Sequence, residues 1–123
     1  MIFKSRQIRG AGRGKGIGFP TINLTIPDSL VLDDGIYASW VEIEGKPYKG
    51  ALHYGPTPTF NQKENTLEVY LLDITDDNFP ETVDKDITID IVEILRGVER
   101  FETTDALVEQ IARDVEKTRL ILG

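Results

Sequence analysis

The stretch Ile36-Tyr37-Ala38-Ser39-Trp40-Val41-Glu42-Ile43-Glu44 carries the fold in its alternation. It reads as a strand, because successive side chains on an extended backbone point to opposite sides. The Gly45-Lys46-Pro47 group that follows has turn chemistry, and a second strand is expected from Tyr48. Further along, Leu67, Val69 and Leu71 alternate with Glu68, Tyr70 and Leu72, so Glu68 is expected on the face opposite an apolar row. Ile87, Ile89 and Ile91 alternate again until the phase breaks across Val92 to Leu95, which predicts a bulge or bend. Short strands separated by turn residues indicate a barrel or a sandwich. The period then changes. Leu107, Val108, Ile111, Ala112 and Val115 recur at helical spacing, with Thr103 or Thr104 as the cap and Gly123 at the end. The expectation is a mainly β protein, a small β-barrel with a C-terminal α-helix. Segments 56–65 and 75–86 are expected as mobile loops, the second acid-rich and solvated.

Composition narrows the function classes. The chain has 123 residues, 14 Lys+Arg against 21 Asp+Glu, a net charge of −7, and no cysteine. That length suits one domain, residues 1–123, with a single core. Without cysteine there are no disulfides, thiolate metal sites or cysteine nucleophile, and a reducing cytoplasm is the expected compartment. No apolar run approaches the ~20 residues of a membrane span, so no membrane partner is expected. The acidic balance also disfavours nucleic acid. The charge is nevertheless uneven. Residues 1–27 hold Lys4, Arg6, Arg9, Arg13 and Lys15 and no acid, leaving nine bases against all 21 acids in the remainder. A basic island on an acidic body suggests an anion site of limited size.

That island contains Gly10-Ala11-Gly12-Arg13-Gly14-Lys15-Gly16-Ile17-Gly18, in which five of the 11 glycines occupy alternate positions. Glycine lets backbone N–H groups approach a ligand, and Arg13 and Lys15 supply countercharge, a combination that suits a polyphosphate. It is neither a Walker A loop nor a G-x-G-x-x-G fingerprint, and a solvated loop or a tight strand crossing is the other reading. Next comes Gly18-Phe19-Pro20-Thr21-Ile22-Asn23-Leu24. On an extended backbone the Thr21 hydroxyl and Asn23 carboxamide share one face. Such hard oxygen donors suit Mg²⁺, while a capping threonine and a turn asparagine are the plain alternative. His53, the single histidine, reads as a packing or hydrogen-bonding residue. Trp40, Phe19 and Tyr37 are expected inside the barrel.

The run Gly10-x-Gly12-Arg13-Gly14-x-x-x-Gly18-Phe19-Pro20-Thr21-x-Asn23 resembles the riboflavin kinase (flavokinase) signature G-x-G-R-G-x-x-x-G-x-P-T-A-N. The resemblance continues, in order, through Gly35-Ile36-Tyr37-Ala38, Tyr48-x-Gly50, Pro58-Thr59-Phe60 and Leu67-Glu68-Val69-x-Leu71-Leu72-Asp73. It extends to Leu95-Arg96 with Phe101, and to Leu107-x-x-Gln110-Ile111-x-x-Asp114. It therefore covers nearly the whole chain. It implies a six-stranded Greek-key β-barrel with a helix near the C-terminus. The implied reaction moves the γ-phosphoryl group of ATP to the 5′-hydroxyl of riboflavin, giving FMN and ADP. By resemblance Thr21 and Asn23 would hold Mg²⁺, and Glu68 would be the catalytic carboxylate. Gly10, Gly12, Arg13 and Lys15, with Leu71 and Asp73, would meet the nucleotide, and Arg96 and Phe101 the flavin. Phosphoryl transfer needs charge neutralisation, in-line positioning and an acceptor for the hydroxyl proton, which those residue types can supply. The expected partners are small molecules alone, riboflavin/FMN and ATP/ADP, on a monomer.

The sequence departs from the family at four places. Tyr70 stands where a histidine is usual. His53-Tyr54-Gly55-Pro56-Thr57-Pro58-Thr59 replaces N-I-G-x-R-P-T. Asn78-Phe79-Pro80-Glu81 replaces D-L-Y-G, and Val98 replaces a glutamate, with Glu99 one place later. The departures bear on nucleotide preference and loop contacts and leave Thr21, Asn23 and Glu68 in place. Relatives often join this module to an adenylyltransferase domain. At this length no second activity is expected, and the start at Met1 favours a natural single-domain enzyme. Two other readings compete. One is a non-catalytic flavin or nucleotide binder on the same barrel. The other is a barrel that binds RNA or protein through the basic strip.

Overall fold

A computed structural model of the chain describes residues 1–8, 21–57 and 62–123. The strands are β1 (Ile2–Ser5), β2 (Thr21–Leu24), β3 (Gly35–Ile43), β4 (Lys46–Thr57), β5 (Gln62–Leu71) and β6 (Ile87–Arg96), followed by helix α1 (Thr104–Leu122). All pair antiparallel in one sheet of order β1-β6-β3-β4-β5-β2. Within it β3, β4 and β5 are successive neighbours and β6 returns beside β3, which is the Greek-key order. The sheet curls into a half-barrel. Its two edges meet where the segment after β1 reaches β2: Ile8 N–H donates to the Asn23 carbonyl (2.8 Å), and Thr25 N–H to that of Arg6 (2.9 Å).

Alternation sorts the two faces as expected. Tyr37, Val41, Ile43, Leu52, Leu67, Val69, Leu71, Ile87 and Ile89 line the inner face with Ile22 and Leu24, and together they form the buried core. Gly50 belongs to that face because a Cβ there would come within 2.7 Å of a Val69 methyl and 2.8 Å of a Val41 methyl. Trp40 departs from expectation. It shares the outer face with Ile36 and Ala38, since its neighbours Ser39 and Val41, like Tyr37, point inward. Phe19 lies outside the described residues.

The turn between β3 and β4 sits earlier than the sequence suggested. Glu44 and Gly45 both have positive φ (51° and 79°), and Ile43 pairs with Lys46. A two-residue hairpin of this kind matches the strand twist, so Lys46 and Pro47 are already strand. Pro47 is tolerated there because β5 pairs with β4 only from Gly50 onward. The phase break in β6 is real and double. The register against β3 steps past Leu95 and again past Val92. Two extra residues cancel in parity, so Arg96 returns to the outer face opposite Ile36.

Segment 56–65 is mostly strand, belonging to β4 and β5 on either side of residues 58–61, which lie outside the described residues. The acidic segment is tied down rather than merely solvated. Thr82 is buried and its hydroxyl bonds to Gln7, Arg6 pairs with Asp86 (2.9 Å), and Lys85 pairs with Glu44 (2.7 Å). Helix α1 starts at the Thr103 cap, whose hydroxyl accepts from Ala106 N–H (3.1 Å). It ends at Gly123, whose positive φ (87°) lets its N–H reach the Arg119 carbonyl. The helix packs on β3, β4 and β6, on the outer face. No helix among the described residues is long and apolar enough to cross a membrane.

Candidate active site

Strand pairing gathers the polar residues of the outer face into rows. Asn23 on β2 is directly opposite Glu68 on β5, and Glu68 is directly opposite His53 on β4. The row continues through Ile36 on β3 to Arg96 on β6. Residues opposed in an antiparallel ladder share a face, with Cβ atoms ~5 Å apart. One step along, Thr21 is opposite Tyr70, which is opposite Ala51. Thr21, Asn23, Glu68, Tyr70 and His53 thus form one polar patch backed by Ile22, Leu67, Val69 and Leu52.

The Thr21 hydroxyl oxygen is buried and has no hydrogen-bond partner among the described residues. A buried hydroxyl without a partner is costly, and such atoms mark sites where a ligand or ion completes the shell. An Asn carboxamide and a carboxylate stand beside it on the same face, a hard-oxygen donor set of the type Mg²⁺ takes. The residues present therefore fit that ion.

His53 lies half-buried next to Glu68. Its Nε2–H donates to the Pro56 carbonyl (3.0 Å), and Nδ1 faces the Thr66 hydroxyl at 3.5 Å. Burial lowers its pKa below the usual 6.5, the Pro56 bond opposes this, nearby Arg96 adds to the lowering, and Asp34 opposes it. This is the hydrogen-bonding role expected of a lone histidine. The neutral ring has a consequence for stability. The unfolded chain takes up a proton near pH 6.5 where the folded one does not, so the contribution is complete above that pH and lost as pH falls through it. Urea midpoints should drop between about pH 7.5 and pH 5.5, and His53→Gln should flatten that part of the curve. An equal drop in both proteins would remove His53 as its source. Tyr70 is half-buried and its hydroxyl is pushed above its usual 10.0 chiefly by burial, with Arg119 opposing and Asp73 adding to the rise. It stays protonated at neutral pH.

On the other side of the row, Arg96 is bound edge-on to Asp114 of α1: Nε to Oδ1 at 3.0 Å and Nη2 to Oδ2 at 2.8 Å. The guanidinium also stands over Phe101, 5.7 Å from the ring centroid. These two expected flavin residues are therefore together. Asp73 has positive φ (61°) and is paired with Arg119, which also binds Glu116 at 2.7 Å. The side chain of Leu71 is fully buried in the core, which leaves only its backbone for the expected nucleotide contact. Gly10, Gly12, Arg13 and Lys15 lie outside the described residues. Of the departures, Pro80 lies in the tied-down acidic segment and Val98 in the loop between β6 and α1.

Sequence reasoning assigned no role to Asp114, to His53 as the neighbour of Glu68, or to Tyr70 as the neighbour of Thr21. For Asp114 a signal existed. Gln110, Asp114 and Thr118 are spaced four apart on the helical face that also carries Leu107, Ile111 and Val115, a polar stripe inside an apolar one.

A riboflavin kinase family model matches residues 1–122. The bifunctional riboflavin kinase/FMN adenylyltransferase of Escherichia coli strain K12 is 34% identical over 121 residues, covering 96% of this chain and 37% of its own. The chain thus spans well under half the length of the curated relatives it matches. Among solved structures, a Streptococcus pneumoniae protein described as a macrolide-efflux protein superposes with a TM-score of 0.82 at 28% identity, over 96% of this chain and 38% of its own. The riboflavin kinase of Trypanosoma brucei shares the fold, with a TM-score of 0.68 at 21% identity, over 98% of this chain and 78% of its own.

Proposed function

The chain belongs to the riboflavin kinase family, and from that premise we propose that it transfers the γ-phosphoryl group of ATP to the 5′-hydroxyl of riboflavin, giving FMN and ADP. The observation that carries this reading is the patch itself: a buried Thr21 hydroxyl, without a partner among the described residues, in the same face as the opposed pair Asn23 and Glu68. An ordinary outer strand face has no reason to bury a hydroxyl without a partner.

In this reading Thr21 and Asn23 would hold Mg²⁺ through their side-chain oxygens. The ion, when bound, neutralises charge on the transferring phosphate. Glu68 orients the ribityl 5′-hydroxyl and accepts its proton as the new P–O bond forms, while ADP leaves with the bridging oxygen's electrons. Its place between Asn23 and the neutral His53 avoids a second negative charge beside it. Gly10, Gly12, Arg13 and Lys15 would cradle the phosphates with backbone N–H groups and countercharge. Leu71 would contribute through its backbone, and Asp73 through the carboxylate oxygen that Arg119 does not occupy. Phe101, beside Arg96, would meet the isoalloxazine ring. The active unit in this reading is a monomer. The absence of cysteine accords with the cytoplasm as its compartment.

Incubation with riboflavin, ATP and Mg²⁺, followed by chromatography, should yield FMN in proportion to ADP. Riboflavin binding without FMN would instead favour the non-catalytic binder, a reading that family membership does not favour. Thr21→Ala should weaken Mg-nucleotide binding by about tenfold or more and flavin binding much less, as expected for loss of a group that shapes a metal site. Equal losses for both ligands would count against metal coordination by Thr21.

A further inference from the structure

We propose that Asp114 is a positioning residue for the flavin side of the site: it fixes the plane of the Arg96 guanidinium and, through it, the ring of Phe101. This rests on the riboflavin kinase reading above.

Asp114 stands mid-helix in α1 and is only 3% exposed, a place where a carboxylate loses most of its hydration. It is compensated by three N–H donors. Arg96 supplies Nε and Nη2, and the Gln110 side chain donates from Nε2 to Oδ1 at 3.0 Å. The Asp114 backbone carbonyl accepts from the Thr118 hydroxyl at 2.8 Å, which completes the polar stripe of the helix. A buried ion pair of this kind adds little net stability, because an apolar pair of similar volume often serves the packing as well. What an apolar pair cannot do is hold a planar cation in one orientation. Two parallel bonds along one guanidinium edge do so.

The orientation is passed on at two points. The remaining nitrogen, Nη1, donates to the Gly97 carbonyl at 3.0 Å and so sets the first residue of loop 97–103. The guanidinium then stands over Phe101. The far end of the loop is held by the Thr103 cap. Phe101 is thus presented by a loop fastened at both ends, on a strand whose two bulges bring Arg96 into the Glu68 row. Three strand spacings of ~4.8 Å separate Arg96 from Glu68 along the sheet. An aromatic platform at one end of that row and a carboxylate at the other match a substrate with a flat ring at one end and a reacting hydroxyl at the other. Arg96 then serves the flavin mainly by holding Phe101, since three of its five N–H groups are committed to Asp114 and Gly97.

The test is riboflavin titration by flavin fluorescence, with KM for Mg-ATP and the urea midpoint measured on the same proteins. The wild type should quench flavin fluorescence. Asp114→Asn should raise the riboflavin Kd by about tenfold, the scale of a lost charged hydrogen bond, with the Mg-ATP KM within about twofold of wild type. The double variant Arg96→Met/Asp114→Leu removes both charges together, so it should keep the urea midpoint and still lose flavin affinity. A purely structural pair would give the reverse, a double variant that binds riboflavin as the wild type does, and this result would overturn the inference alone. Should the double variant not fold, an unchanged riboflavin Kd in Asp114→Asn overturns it equally. A wild type that binds no riboflavin overturns the functional reading and this inference with it.

Discussion

Glu68→Gln is expected to leave the protein folded and able to bind riboflavin while cutting FMN formation by about 10²-fold or more, the scale of a lost general base. Glu68 sits on the outer face of β5, opposite Asn23 and His53 and away from the core. Glutamine has the same shape and can still accept a hydrogen bond at its amide oxygen, so neither packing nor strand pairing is disturbed. It cannot take a proton at neutral pH. The substitution therefore separates proton acceptance from shape. Flavin affinity should persist because the proposed ring platform, Phe101 with Arg96, lies three strands away at the end of β6. Turnover measured by product chromatography, with the riboflavin Kd and the urea midpoint as controls, decides the matter. A variant that keeps the wild-type rate would remove Glu68 from the chemistry.

Leu52→Ala should be the most damaging of the conservative changes to stability. Leu52 is fully buried on the inner face of β4, paired with Tyr37 on β3 and Val69 on β5, and Val69 is paired in turn with Ile22 on β2. It is thus central to a row that crosses four strands. Truncation removes the transfer free energy of its methyl groups and leaves a cavity that neighbours anchored in strands cannot close. The cost for buried leucines runs at about 2–5 kcal/mol, a large part of the ~5–15 kcal/mol that holds a domain together. Urea unfolding should show a lower midpoint with an unchanged slope. Val31, which is 83% exposed, provides the control: Val31→Ala should stay within about 0.5 kcal/mol of wild type. Equal midpoints for the Leu52 variant and the wild type would mean that the inner face is not the core.

Much of this was legible in the sequence. The placement of Glu68 opposite Leu67, Val69 and Leu71 follows from a period of two, and the β6 irregularity at Val92 to Leu95 was visible as a break in that period. The Thr103 cap and terminal Gly123 follow from helix-end chemistry. Other features were misplaced because a local signal admitted two solutions. The Glu44-Gly45-Lys46-Pro47 run holds two turn-forming groups. Strand twist selected the first, where both residues take positive φ. Trp40 was assigned inside on hydrophobicity, whereas its parity with Ala38 places it outside.

The amino-acid sequence by itself determined the alternation that runs through β3, β5 and β6, where the helix begins and ends, and which short motifs tie the chain to its family. These are local properties, set by side-chain periodicity and by backbone preferences over a few residues. Only the tertiary structure decided which strands lie side by side. It brought Asn23, Glu68, His53 and Arg96 into one row, left the Thr21 hydroxyl buried without a partner among the described residues, and turned Asp114 of the helix onto Arg96. Periodicity tells a residue's face but not its neighbour on the next strand. That neighbour is chosen by burial of the whole inner face at once.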